Sequence, residues 1–122
     1  MSIDMLDDDF ILSMTSEMYD RVHELATWVQ RHQENLTPGL LKKSVEYGSA
    51  DLELIGEAMK MLLPDDRQDA SPLILGITFY MLGKVARIFS QVKEGKDPTD
   101  SFLDSHIYAM MALRILQEGK WL

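Results

Sequence analysis

Between Leu73 and Val92 the chain reads LILGITFYMLGKVARIFSQV, a run with apolar side chains on nearly every side of a helix. Ile77, Met81, Val85, Ile88 and Val92 make one stripe, and Leu75, Phe79, Leu82, Ala86 and Phe89 make another. A helix that is apolar all round needs cover all round, so this segment predicts the central helix of a small bundle. Lys84 and Arg87 interrupt it, three residues apart and therefore on neighbouring positions of one face. They either lay their stems on apolar surface with their heads in water, or point into acids supplied by the surrounding helices. A central helix has little exposed surface and a buried charge needs a partner, which favours the second arrangement. The run is long enough to span a membrane, but two charges well inside it argue for a soluble chain.

The rest of the chain supplies helices to gather around this one. Asp7, Asp8 and Asp9 precede an apolar periodic run, and one of them is expected to cap it. Ile11, Met14, Met18, Val22, Leu25 and Val29 recur at spacings of three and four, predicting an amphipathic helix to about His32. Thr37-Pro38 then reads as a cap and first-turn pair that starts a short helix through Leu40, Leu41 and Val45. Tyr47-Gly48 ends it, and Ser49 caps ADLELIGEAMKMLL, which Pro64 terminates. Ser71-Pro72 launches the central helix and Glu94-Gly95 closes it. Asp97-Pro98 opens the last helix, with Asp100 in the capping-box position, and Gly119 ends it. The sequence therefore predicts an all-α fold over residues 1–122 as a single domain: four main helices plus one short helix in a small helical bundle.

Charge narrows the function. The net charge is −8, from 20 acids against 12 bases. Polymeric nucleic acid, held through phosphates by a basic patch, is not the expected partner. With no cysteine there are no disulfides, thiolate metal sites or cysteine nucleophiles. Met1 to Asp9 is acidic and has no basic segment followed by an apolar one, so a cytoplasmic location is expected and no membrane partner.

Three polar features are expected to face inward. One is the Lys84/Arg87 pair. Asp51 lies in line with Ile55, Ala58 and Leu62, and Asp104 with Ile107, Tyr108, Met111 and Ile115, with Asp100 one turn before it. Carboxylates four apart can hold a hard cation such as Mg²⁺, which keeps waters and binds substrate phosphates. The two cations would then hold phosphate oxygens. Spacing alone favours, by a little, a salt-bridge network of Lys84 and Arg87 with Asp51 and Asp104 that does no chemistry, since ion-pair networks also place charges inside bundles. Glu53 and Glu57 share a side with Lys60 and read as a solvated face, and His23, His32 and His106 read as surface or edge-of-core histidines.

The order Lys43-Ser-Val-Glu46-Tyr47-Gly48, Asp51, Lys84-Val-Ala-Arg87, Asp100-Ser-Phe-Leu-Asp104, Tyr108-Ala109 resembles the MazG-like relatives of the all-α NTP pyrophosphatase superfamily, in particular the nucleotide-modification-associated proteins of phages and bacteria. The resemblance covers roughly residues 42 to 113. It implies a helical bundle assembled as a homodimer or homotetramer. It also implies Mg²⁺-dependent hydrolysis of a free (deoxy)nucleoside triphosphate to monophosphate and pyrophosphate. By position, Asp100 and Asp104 would be metal-side acids with Asp51 completing the cluster. Lys84 and Arg87 would face the phosphates, giving Asp104, Lys84 and Arg87 as the catalytic set. Lys43, Tyr47 and Gly48 would border the nucleotide. The superfamily's Glu-Glu-x-x-Glu and Glu-x-x-Asp are replaced here by Asp-x-x-x-Asp. The alternative expectation is accordingly a non-catalytic helical protein that sequesters a nucleotide or engages a host protein. Met5, Met14, Met18 and Trp121-Leu122 are the residues expected to extend a partner surface.

Overall fold

The computed structural model describes residues 3–47 and 50–122, apart from the side chains of residues 44, 46, 47 and 50. The regular structure among them is helical throughout, so the chain is all-α. A 3₁₀ turn at Ile3–Met5 precedes α1 (Asp8–Leu12), α2 (Ser16–Tyr47), α3 (Ala50–Met59), α4 (Pro72–Lys93) and α5 (Thr99–Glu118). Two compact units divide the chain, Met1–Lys42 and Lys43–Leu122.

In the first unit the expected cap is Asp7, whose carboxylate accepts from the Asp9 N–H at 3.1 Å. It opens only the short α1, because the chain turns at Ser13 and starts afresh with Thr15 Oγ1 accepting from the Met18 N–H at 3.2 Å. The larger correction lies further on. The helix predicted to stop near His32 and the short one predicted to begin at Thr37-Pro38 are one helix, α2. Pro38 sits inside it, offering no N–H to the Glu34 carbonyl. The Thr37 hydroxyl does not cap; it donates back to the Gln33 carbonyl at 2.8 Å, as interior helical threonines do. One lost hydrogen bond is outweighed by the continuous turns on both sides. The apolar stripe of α2 meets the N-terminal turn, where Ile3, Leu6, Val22, Ala26 and Val29 line a groove of about 210 Å³.

In the second unit α4 lies between α3 and α5. Glycine sets how close α3 comes. A Cβ at Gly76 would stand 2.1 Å from the Leu52 carbonyl oxygen, and one at Gly56 would stand 1.7 Å from that of Pro72. The pairing of 52 with 76 and 56 with 72 makes the two helices antiparallel, backbone against backbone. Leu52 and Ile77 are buried at this crossing. The buried face of α3 is therefore Leu52, Gly56 and their half-buried neighbours Ile55 and Met59, about 100° round from the face predicted through Asp51.

α4 begins as predicted, with Ser71 Oγ accepting from the Ile74 N–H at 3.4 Å. It ends where the Gly95 φ of 72° lets the Lys96 N–H return to the Gln91 carbonyl at 2.8 Å. Asp97 then accepts from both the backbone N–H and the hydroxyl of Thr99, at 3.0 and 2.6 Å, which holds its carboxyl below the ordinary aspartate range. Ile107, Tyr108, Met111 and Ile115 are buried, as the periodicity of α5 predicts. Trp121, expected at a partner surface, is instead buried after Gly119 turns the chain with a φ of 77°. The expectation of cover on every side of α4 is also corrected: its only fully buried residues are Gly76 and Ile77. Two flanking helices cannot enclose a cylinder, and within this unit α3 and α5 leave one side of α4 uncovered.

Candidate functional site

The seam between α4 and α5 carries a row of polar side chains. Both helices present one residue per turn to it, and antiparallel packing sets them opposite one another. Tyr80 stacks on Tyr108 with ring centroids 5.6 Å apart and planes 19° from parallel. One turn on, Lys84 Nζ meets Asp104 Oδ2 at 3.0 Å. Further along, the buried Ser101 hydroxyl donates to Gln91 Oε1 at 2.9 Å.

Asp104 is the centre of this row. Its other oxygen, Oδ1, takes Lys43 Nζ, brought in by the last turns of α2. The carboxylate is 19% exposed and the two lysine side chains 29% and 22%. Burial would raise the Asp104 pKa, but the hydrogen bonds and charges of Lys43 and Lys84 together outweigh it and hold it below the ordinary value. Two ammonium groups thus share one carboxylate. Arg87, three residues beyond Lys84, is exposed.

Of the predicted site residues, the structure therefore brings together Lys43, Lys84 and Asp104. Arg87 does not point into an acid cluster, and the snorkelling arrangement describes it better. Asp51 is exposed at the start of α3 because the packed face of that helix runs through Leu52. Asp100 is exposed in the first turn of α5. Gly48 and the Tyr47 side chain lie outside the described residues. His106, expected at the edge of the core, is exposed.

Mg²⁺ requires several oxygen ligands that converge. Asp104 spends both oxygens on lysines, and Asp51 and Asp100 face solvent. Among the described residues no group of three or more His, Asp or Glu side chains could hold a metal ion. The described residues do not fit the Mg²⁺ site that the resemblance implies.

Tyr80, the Ser101–Gln91 pair and the Lys43–Asp104 pair escaped the sequence reading. Ser101 stands three residues before Asp104 and continues the face Asp104, Tyr108, Met111, Ile115, so the periodicity that placed Asp104 inward also held Ser101. The Lys43–Asp104 pair spans 61 positions, and no local pattern encodes it. Compared with known protein families, curated proteins and solved structures, the chain matches none of them significantly.

Proposed function

We propose that this chain is a cytoplasmic, non-catalytic helical binding protein for a phosphate-bearing small molecule of the nucleotide class. The observation that carries the reading is the convergence of Lys43 and Lys84 on the single carboxylate of Asp104. Two ammonium groups on one carboxylate suit an anion better than a divalent cation. An ammonium has three donors, and Asp104 takes one from Lys84. Arg87, exposed three residues along the same helix, adds a planar fork suited to phosphate oxygens. The nucleotide class comes from the resemblance of the Lys43–Gly48, Lys84–Arg87 and Asp100–Asp104 segments. A Mg²⁺-dependent pyrophosphohydrolase needs the acids Asp51, Asp100 and Asp104 to share an ion, which the geometry supports less well.

Thermal melts with a panel of nucleoside triphosphates, in EDTA and in millimolar Mg²⁺, test the proposal. Phosphorus NMR follows pyrophosphate in the same samples. The expected result is a rise in melting temperature that does not need Mg²⁺, without turnover. Arg87→Met, on an exposed residue, should weaken binding roughly tenfold, as loss of a charge-assisted hydrogen bond does, and leave the unliganded melt unchanged. No shift with any nucleotide would sink the reading. Pyrophosphate release that needs Mg²⁺ would replace it with the hydrolase.

A further inference from the structure

Asp104 is held through side chains alone. Lys43 Nζ donates to its Oδ1 and Lys84 Nζ to its Oδ2, and the backbone N–H groups around it are taken up by the interior of α5. The hydroxyls nearest to it on α5 are also engaged elsewhere. Ser101 donates to Gln91 Oε1 and Ser105 to the Ser101 carbonyl, each at 2.9 Å. The carboxylate is therefore fixed by two ammonium groups on long, flexible stems. All three residues belong to the unit Lys43–Leu122, so the arrangement is set within that unit. A carboxylate that rests one oxygen on each of two ammonium groups offers them what a phosphate offers, two anionic oxygens on one central atom.

We propose that Asp104 is an internal competitor for the anion site: its carboxylate occupies Lys43 and Lys84 while no ligand is bound and swings away when a phosphate takes them. The inference rests on the anion-binding reading and adds its regulation. Displacing the carboxylate breaks two ion pairs and no backbone bond. A ligand's apparent dissociation constant is then its intrinsic one divided by the fraction of molecules whose lysines are clear of Asp104. Two partly exposed pairs set that fraction near one in ten, since a tenfold ratio corresponds to about 1.4 kcal/mol. The lysines hold the Asp104 pKa below its ordinary value, so the competitor stays charged throughout the neutral range. The consequence is a charge threshold. A carboxylate or a phosphodiester, each a monoanion, returns to the lysines no more charge than Asp104 takes away. A terminal phosphate dianion or a polyphosphate chain returns more, and that is the class of group the site admits.

Isothermal titration calorimetry of the full chain in EDTA tests it, with pyrophosphate as the probe and dimethyl phosphate as a monoanionic control. Asp104→Asn keeps the shape of the side chain and removes its charge. It should bind pyrophosphate about tenfold more tightly than wild type while keeping its helical circular dichroism. Dimethyl phosphate should bind wild type about tenfold more weakly than pyrophosphate does, and gain on the variant by a similar factor. An Asp104 that only braces the lysines predicts the opposite, weaker binding in the variant. Should the variant unfold, wild type alone decides. Carbon-13 NMR follows the Asp104 carboxyl, and saturating pyrophosphate should raise its pKa toward the ordinary aspartate range, because the lysines then hold the ligand. Pyrophosphate that binds wild type and leaves that pKa low, or that binds Asp104→Asn no more tightly, overturns the inference and leaves the anion-binding reading intact. No binding by either protein overturns both. Binding by the variant alone upholds the competitor and sinks the binding reading for the native chain.

Discussion

Asp104 accepts from two lysines while only partly covered, and that decides what its removal does. Deleting one partner of a fully buried pair costs about 3–5 kcal/mol. Here water still reaches all three side chains, so Asp104→Asn should cost about 1–2 kcal/mol at pH 7. The pH dependence follows from the direction of the shift. The folded carboxyl has its pKa below that of the unfolded chain, about 3.9, so its contribution is fully present above that value. It is lost as pH falls through the lower folded value. Urea unfolding of wild type and Asp104→Asn should therefore show a constant difference between pH 7 and about pH 5 that closes in more acid solution. A difference that grows on acidification would mean that Lys43 and Lys84 do not hold the carboxylate in its ionised form.

Glycine acts at the scale of the helix pair. Gly76 and Gly83 belong to the same helix, yet a Cβ at Gly76 would strike the Leu52 carbonyl at 2.1 Å while one at Gly83 meets nothing within 4 Å. Gly83→Ala should gain about 0.5–1 kcal/mol, the ordinary helical preference for alanine. Gly76→Ala should lose about 3 kcal/mol or more despite the same preference, because the obstacle is backbone and α3 must move away. Chemical denaturation of the two variants separates propensity from packing. Equal effects of one sign would mean that α3 and α4 do not cross so closely. α2 shows the opposite balance, where a proline that predicts a break is carried inside a long helix. Pro38 removes one backbone bond, and the turns around it supply many.

For the whole molecule, the packing of α4 against α3 and α5 and the core of Leu52, Ile77, Ile107, Tyr108, Met111 and Ile115 belong to the second unit alone. Residues 43–122 expressed by themselves should therefore keep their helical circular dichroism and unfold cooperatively on heating. The fragment retains Lys43, so its melt should respond to Asp104→Asn as the full chain does. A broad, non-cooperative melt would show that the core of this unit is not self-sufficient.

Local patterns alone determined that the chain is all-α, where α4 begins and ends, and which face of α5 is buried. Each of these rests on chemistry within a few residues: the Ser71 hydroxyl on its own first turn, the positive φ of Gly95, and the three-and-four spacing from Asp104 to Ile115. Tertiary structure decided the rest. Whether Asp51 or Leu52 faces inward is a rotation of one residue, and the Gly56 and Gly76 crossing sets it. Whether Asp104 would meet a metal, an arginine or a lysine depended on Lys43, 61 positions away. The even hydrophobicity of α4 could not say which side α3 and α5 would leave open. An apolar side chain records that burial is favourable; only the packed helices record against what.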